Sequence, residues 1–434
     1  MSTRCDFDVI VVGAGPTGLL LASELQRHGI SVGLLERRAD PWPGTRAIGV
    51  HAPVLAALEA SGATERILSE ATRVTRGIAR SGERTLGEVR FNRLRTRFPF
   101  VATVPQAVTE AAVATGGPDP LRGRVVVSLA EEGDRVVVTH TPAAAVSLAG
   151  STPGAPPPGT AATGELTARA VVVAAGASGR GLVSGLMRVA ATEYPDRYLM
   201  ADIAGATAQP ADTAVIHLDQ GGVLESFPLP HGGRRLVAWD AGTAAAGTAA
   251  ARRKNDSTGH AALAAAGPDG CADDLTERLR RAVASRAGDE GLASLVSHAS
   301  SFGIRRVLLR RMRAGRILAI GDTAHEVSPI GGQGMNLGLL DAVTLAPVLA
   351  RCLSGRATTR ELDRWERTRL ASARTAARLA HLNTSLGRPR SAFAHSASTR
   401  LLGGVLGSPL ERVAARAYAM GFDRDAATTP RGPR

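Results

Sequence analysis

The stretch DFDVIVVGAGPTGLLLASELQRHGISVGLLE, Asp6 to Glu36, constrains the chain more than any other. Asp6 to Val12 is a short apolar run ending in glycine. Pro16 to Gly29 carries apolar residues at helical spacing and stops on Gly29, and Ile30 to Glu36 is apolar again. A strand, turn, helix and strand within about thirty residues predict a parallel-sheet crossover. The turn is GAGPTG, with Pro16 and Thr17 between its last two glycines. Gly13 allows the tight turn, Gly15 lets backbone approach a pyrophosphate, and Gly18 allows close helix packing; the helix amino end offers unpaired N–H groups and a favourable dipole. Glu36 closes the second strand, where a carboxylate can accept hydrogen bonds from ribose hydroxyls, and Arg37 follows it. The unit predicts dinucleotide binding.

The 434 residues, 44% apolar and 21% charged, suffice for two domains or one large core with an inserted layer. No uninterrupted apolar run reads as a transmembrane helix, and the first strand starts too early for a signal segment, so a cytoplasmic protein without integral membrane association is expected. Cys5, Cys271 and Cys352 are too few and too scattered for a disulfide framework or a zinc site, and no metal is expected. The net charge of +13 raises nucleic-acid binding, but the composition argues against it. Lys254 is the only lysine, and arginine, alanine and glycine enrichment is the mark of a GC-rich genome. With 3% aromatic residues and no basic segment interleaved with aromatics, the chain has no stacking platform for bases.

RVVVSL, DRVVVTH and ARAVVVAAG are β-rich, GGVLESFPL and GRRLVAWD read as a hairpin across PHG, and ADDLTERLRRAVASRAG is an amphipathic helix. Thr141 to Gly164 and Gly242 to Gly270 are biased to Ala, Gly, Pro and Thr and have little to bury, which places them on the surface. The predicted fold is α/β: a Rossmann-like dinucleotide-binding domain, which the second loop below assigns to FAD, with an inserted, mainly antiparallel β-sheet domain and a helical carboxy-terminal portion. The expected boundaries are 1–75 with 100–185 and 296–350 for the dinucleotide (FAD)-binding domain and 76–99 with 186–295 for the middle, substrate-binding domain. Helices are expected over 351–423 and a disordered tail over 424–434.

A second glycine-rich loop follows the strand RILAIGD. In GDTAHEVSPIGGQGMN, Gly321 to Asn336, the segment Pro329 to Gly334 feeds the amino end of an apolar helix, again a site for an electron-rich ligand. A plain NAD dehydrogenase gives no reason for it. FAD does, with adenosine and pyrophosphate on the first loop and ribitol and flavin ring on the second.

The pairing of VVGAGPTGLLLASEL and LLER with GRILAIGDTAHEVSPIGGQGMNLGLLDAVTLA resembles the single-component flavoprotein monooxygenases of the para-hydroxybenzoate hydroxylase fold, particularly the branch acting on aromatic polyketides. TRAIGVHAPVLAALEASG and FVATVPQAVTEAAV agree with it. The resemblance implies that Arg46 lies near the FAD phosphates, Gln106 near the ribitol and Asp322, after Gly321, on a ribitol hydroxyl. It also implies that Pro329 and the backbone of Gly332, Gln333, Gly334 and Met335 border the flavin, with Asn336 beside them; Pro329 is the one position assigned to catalysis. Read alone, Arg46 is a solvated arginine and Gln106 a helix cap, and His325 with Glu326 reads as structural.

The implied chemistry is reduction of FAD by NADPH or NADH, addition of dioxygen at the flavin C4a carbon, and delivery of oxygen from the hydroperoxide to an activated aromatic ring. The protein orients the ring, polarises a phenol and excludes water. Leu224, Phe227 and Trp239 on the middle sheet are the candidate substrate contacts, and a monomer or homodimer is expected. Isolated Trp42, Trp239 and Trp365 argue against a flavin halogenase.

One position departs from the family. The stretch VVVAAGASGRGL has Ala175 where an aspartate precedes the glycine, and Ser178 where arginine is usual; VTEAAVATGGPDPLRG is also shorter than the usual helix and connection. These changes bear on reduction by NAD(P)H more than on FAD binding. They keep a second reading open, a flavin oxidase or rearrangement enzyme of the same fold that does not use NAD(P)H.

Overall fold

A computed structural model describes residues 5–41, 47–144, 163–205, 207–240 and 272–423. Most of Thr141 to Gly164, all of Gly242 to Gly270, the 424–434 tail, Arg46, Trp42 and Cys271 lie outside the described residues.

The first sheet has four parallel strands in the spatial order Ile317–Ala319, Gly164–Val173, Phe7–Val12 and Val32–Leu35. Val9 pairs with Ala170 and with Val32, and Val172 with Leu318. FDVIVV is apolar without alternation because the sheet is covered on both faces; Val9, Ile10 and Val11 are fully buried. The helix Pro16–Arg27 packs against a longer one, Gly334–Leu353, over this sheet. The hairpin Arg124–Glu132 and Arg135–Pro142 extends it antiparallel to the start of Gly164–Val173.

A second sheet has eight strands. Across it run His325–Glu326, Ser300–Leu309, Val189–Ile203, Arg234–Trp239, Gly222–Pro228, Thr213–Asp219, Arg76–Ser81 and Arg84–Arg90. All its pairings are antiparallel except that of Thr213–Asp219 with Arg76–Ser81. Strand Ser300–Leu309 joins this sheet, although the sequence assigns 296–350 to the FAD-binding domain. Its β-rich pattern is the same in either sheet, and only the long ladder with Val189–Ile203 decides. Helix Ala272–Ala287 covers the back of the sheet, over Leu199, Leu224, Leu236 and Ala238.

Helix Gly334–Leu353 is, among the described residues, the one helix long and apolar enough to cross a membrane. Here it is a core helix, packed between Pro16–Arg27 and Thr359–Leu386. It also carries Asp341, fully buried, whose Oδ2 accepts from Gly321 N (3.0 Å) and His325 Nε2 (2.6 Å) and whose Oδ1 accepts from Arg369 Nε (2.7 Å). Arg369 also donates to Asp423 and to Leu337 O. Burial disfavours the charged His325 ring, but the Asp341 carboxylate outweighs it and holds the pKa above the ordinary value. Burial likewise opposes ionised Asp341, and His325 with Arg369 reverses that effect.

Asp341→Asn takes the anion away from the buried His325 ring and from Arg369, which keeps only Asp423, and is expected to cost about 3–5 kcal/mol in urea denaturation. The raised His325 pKa gives a pH signature. Its contribution is whole below the unfolded value of about 6.5 and is lost as pH rises through the higher folded value. Urea midpoints followed towards alkaline pH should fall in the wild type and fall less in His325→Gln.

Candidate functional site

The first loop is built by contacts no other residue type permits. Gly13 has φ +107°, and a Cβ there would lie 2.6 Å from Ala175 Cα; a Cβ on Gly18 would lie 1.8 Å from Gly13 O. Gly15 differs. Nothing lies within 4 Å of its would-be Cβ, so the packing of the chain does not require glycine there and the open side is free for a ligand's close approach. Gly15 is also the N-cap of Pro16–Arg27, with no side chain capping that end and Pro16 in the first turn. Glu36 is buried and accepts from Ala14 N (2.8 Å), Arg38 N (3.0 Å) and Arg38 Nε (2.9 Å). Burial would raise its pKa, but these donors hold it below the usual carboxylate value. It thus pins the loop as well as offering lone pairs to a ribose. Arg37 is exposed.

Thr17 brings the second loop to the first. Its Oγ1 occupies the space that a Cβ on Gly338 or Gly321 would take, 2.4 and 3.0 Å from those positions. Helix Gly334–Leu353 has Gln333 as N-cap and no capping side chain, so two uncapped helix amino ends belong to one site. Asp322 is exposed at the start of this loop, its Oδ1 3.7 Å from the would-be Cβ of Gly334, and Pro329 and Gly332 are exposed as well. A turn closes between them through Gly332 N and Pro329 O (2.9 Å).

Three predicted cofactor residues turn their side chains inward instead. Asn336 is fully buried, donates to Gly49 O (2.8 Å) and Gly332 O (2.9 Å), and accepts from His51 N (2.8 Å). Gln333 is buried and donates to Ala417 O (3.4 Å), and Met335 packs on the core. Gln106 opens helix Gln106–Ala114, accepting from Ala47 N (3.3 Å) and donating to Glu110 (2.8 Å).

The substrate candidates separate by strand parity. Leu224 faces the back of the sheet, under helix Ala272–Ala287, and is corrected: it is core, with no route to the loops. Trp239 and Phe227 face the other way. Trp239 packs in a cluster with Tyr198, Val223, Phe302 and Ile330 of the second loop, its indole donating to Asp196 (3.1 Å). Phe227 packs with Phe91 and Tyr418.

The sequence reading did not single out His51, Thr323 or Asp341. Burial lowers the pKa of His51 to about 4, so a neutral ring stands beside Gly332. Thr323 Oγ1 donates to Gly176 O (2.9 Å), and Arg180 donates to Asp322 O and Glu326, both at 2.6 Å. The Ala175 turn is thereby tied to the second loop, and the Arg180 guanidinium is committed within it.

The open Gly15, the two uncapped helix ends and the exposed Asp322 fit an extended anionic nucleotide better than a single phosphate. Residues 6–152 and 154–380 match the FAD binding domain family. The chain belongs to this family of FAD-dependent monooxygenases. Among its relatives is the rifampicin monooxygenase of Streptomyces venezuelae, 32% identical over 373 residues, covering 84% of this chain and 68% of the relative. Another is the 12-dehydrotetracycline 5-monooxygenase/anhydrotetracycline 6-monooxygenase of Streptomyces rimosus, 30% identical over 383 residues, covering 84% and 66%. The chain spans about two thirds of the length of these relatives. CabE, an aromatic hydroxylase from angucycline biosynthesis, superposes with a TM-score of 0.70 at 27% identity, over 96% of this chain and 77% of CabE. The p-nitrophenol 4-monooxygenase PnpA of Pseudomonas putida shares the fold, with a TM-score of 0.77 at 19% identity over 96% and 98%.

The glycines separate packing from ligand approach. Gly18→Ala should lower both the apoprotein melting temperature and FAD content. Gly15→Ala should leave apoprotein stability within about 0.5 kcal/mol, as for a site without clashes, and lower FAD affinity alone.

Proposed function

We propose that this chain oxygenates a polyketide-type aromatic small molecule, with dioxygen as co-substrate and NADPH or NADH as reductant. One observation carries the aromatic part of this reading. In a chain with 3% aromatic residues, Tyr194, Tyr198, Trp239, Phe302, Phe227, Phe91 and Tyr418 gather in two clusters on one face of the large sheet, and Ile330 of the second loop packs into one of them. A flat apolar ring held against that face would lie beside the loop assigned to the flavin. The rifampicin and anhydrotetracycline monooxygenases and the angucycline-pathway hydroxylase CabE support the polyketide part of the reading.

When bound, FAD supplies the redox and oxygen-activating chemistry. The residues of the chain bind and orient. The N–H groups after Gly15 receive the pyrophosphate, Glu36 the ribose, and Asp322 a ribitol hydroxyl, while Pro329 and the backbone from Gly332 to Met335 border the ring. Arg46 is assigned to the phosphates by resemblance alone. Cys352 is a free thiol, which supports a reducing, cytoplasmic setting for a monomer or homodimer.

A second reading rests on Ala175. The turn that packs against Gly13 has no carboxylate at this position, and Arg180 is already held by Asp322 O and Glu326. An enzyme that takes its electrons from the substrate would not need that carboxylate.

Asp322→Ala should lower FAD affinity tenfold to a hundredfold, the range for a hydrogen bond to a charged group worth about 1.5–3 kcal/mol. The two readings divide on anaerobic stopped-flow reduction of the flavin. Under the monooxygenase reading NADPH or NADH reduces the wild type slowly, and Ala175→Asp accelerates it. Reduction by an aromatic substrate alone, with no response to nicotinamide in either protein, selects the second reading.

A further inference from the structure

Helix Thr359–Leu386 turns one side to the core and the other to solvent. Leu362, Trp365, Ala373, Ala376, Ala377 and Ala380 are buried. On the opposite side Arg360, Arg364, Arg367, Arg374 and Arg378 are all exposed. Their four-then-three spacing, with Ala371 in the remaining place, keeps them within about 80° of arc along about 27 Å of helix. Among the described residues none of these five guanidinium groups has a hydrogen-bond or ion-pair partner. The acids of the helix are engaged elsewhere: Glu361 with Arg351, Asp363 with Arg313, and Glu366 with the backbone N–H groups of Met312 and Arg313.

The arginine enrichment of the chain accounts for the residue type and not for the alignment. Exposed arginines elsewhere sit beside acids, as Arg27 does with Glu24, Arg97 with Glu59 and Arg169 with Asp8. Like charges three and four residues apart destabilise a helix, and here no acid stands among them to relieve the repulsion. We infer that this face is a docking surface for an acidic helix of a partner protein, with carboxylates at the matching spacing. Charge complementarity selects that occupant, because the planar fork of arginine takes carboxylate oxygens two at a time. A second copy of this chain would set arginine against arginine. A lipid surface would need apolar side chains on the face, which offers only Ala371, and nucleic-acid bases would need aromatic platforms, of which the face has none. The inference does not depend on the aromatic-substrate reading.

The arginines stand on a firm support in a particular place. Their helix packs on Gly334–Leu353, the helix that follows the second loop, and on strand Ser300–Leu309. Past Arg378 it reaches the aromatic face. His381 Nδ1 shares a 2.9 Å hydrogen bond with the hydroxyl of Tyr194, and Thr384 Oγ1 shares one of 2.9 Å with Ser328 Oγ in the second loop. A partner helix laid along the arginines points its end at the rim of that face. Exposed charges are screened beyond about 10 Å at 0.1 M salt, so the contact is expected to form quickly and to be salt-sensitive.

The test measures binding of a fluorescent helical peptide of about 25 residues, with glutamates at the same four-then-three spacing, to FAD-loaded full-length protein. A peptide of the same composition with its glutamates spread round the helix is the comparison. The unaltered protein should bind the aligned peptide about tenfold more tightly than the scattered one at about 0.05 M salt, and lose both near 1 M, where the Debye length is about 3 Å. Arg364→Gln/Arg367→Gln/Arg374→Gln should weaken the aligned peptide about tenfold, or about 1.4 kcal/mol, with melting temperature and FAD content unmoved. Arg84→Gln/Arg95→Gln/Arg400→Gln takes the same charge from three exposed arginines elsewhere and should weaken it less than about threefold. Equal binding of the two peptides, no binding of either, or equal losses in the two triple variants overturns the docking surface. Tighter binding of a short DNA duplex, or of phosphatidylcholine vesicles containing phosphatidylglycerol, that is lost in the first triple variant overturns the acidic helix as its occupant. Each of these outcomes leaves the aromatic-substrate reading where it stands.

Discussion

The Asp341 carboxylate is the interaction on which the second loop depends. It is fully buried in helix Gly334–Leu353 and takes donors from Gly321 and His325 at the start of the loop and from Arg369 on the neighbouring helix. Backbone in a loop of this kind has no ladder to hold it, and its N–H groups must find partners elsewhere. Asp341 supplies one for Gly321 N, and Asn336 further along donates to Gly49 O and Gly332 O and accepts from His51 N. These bonds tie the loop interior to the protein core. Asp322, Pro329 and Gly332 stay at the surface.

That division explains why two glycine-rich loops far apart in the chain can serve one cofactor. The first is rigid because Gly18 sits against Gly13 O and Glu36 receives Ala14 N; the second is rigid because of the buried ion cluster. Thr17 fits between Gly321 and Gly338 and sets the distance between the two helix amino ends. Such preorganisation places donors before the ligand arrives, so little of the binding free energy is lost to ordering the loops.

The large sheet has a different economy on its two faces. Behind, Leu224, Leu236 and Ala238 pack under helix Ala272–Ala287 as ordinary core. In front, aromatic side chains gather in two clusters. A monooxygenase of this class has little protein nucleophile chemistry to arrange. The demands on the polypeptide are shape and dryness, which an aromatic face with few polar atoms suits.

What the sequence determined by itself was local. DFDVIVVGAGPTG and RILAIGDTAHEVSPIGGQG announce strands, turns and helix starts because apolar periodicity and glycine placement act over a few residues. From them followed two nucleotide loops and the α/β class. The tertiary structure decided which side chains those loops leave outward: Asn336 and Gln333 stand in the loop motif yet turn inward. It decided the strand parity that sends Leu224 to the back and Glu225 to the front, and the sheet to which Ser300–Leu309 belongs. Nothing in the sequence next to Glu225, Asp341 or Arg369 tells whether the charge is buried or what it faces. The physical reason is common to all three. A charge acquires its meaning from what is packed around it in space, and burial, pairing and pKa are properties of that packing rather than of neighbours along the chain.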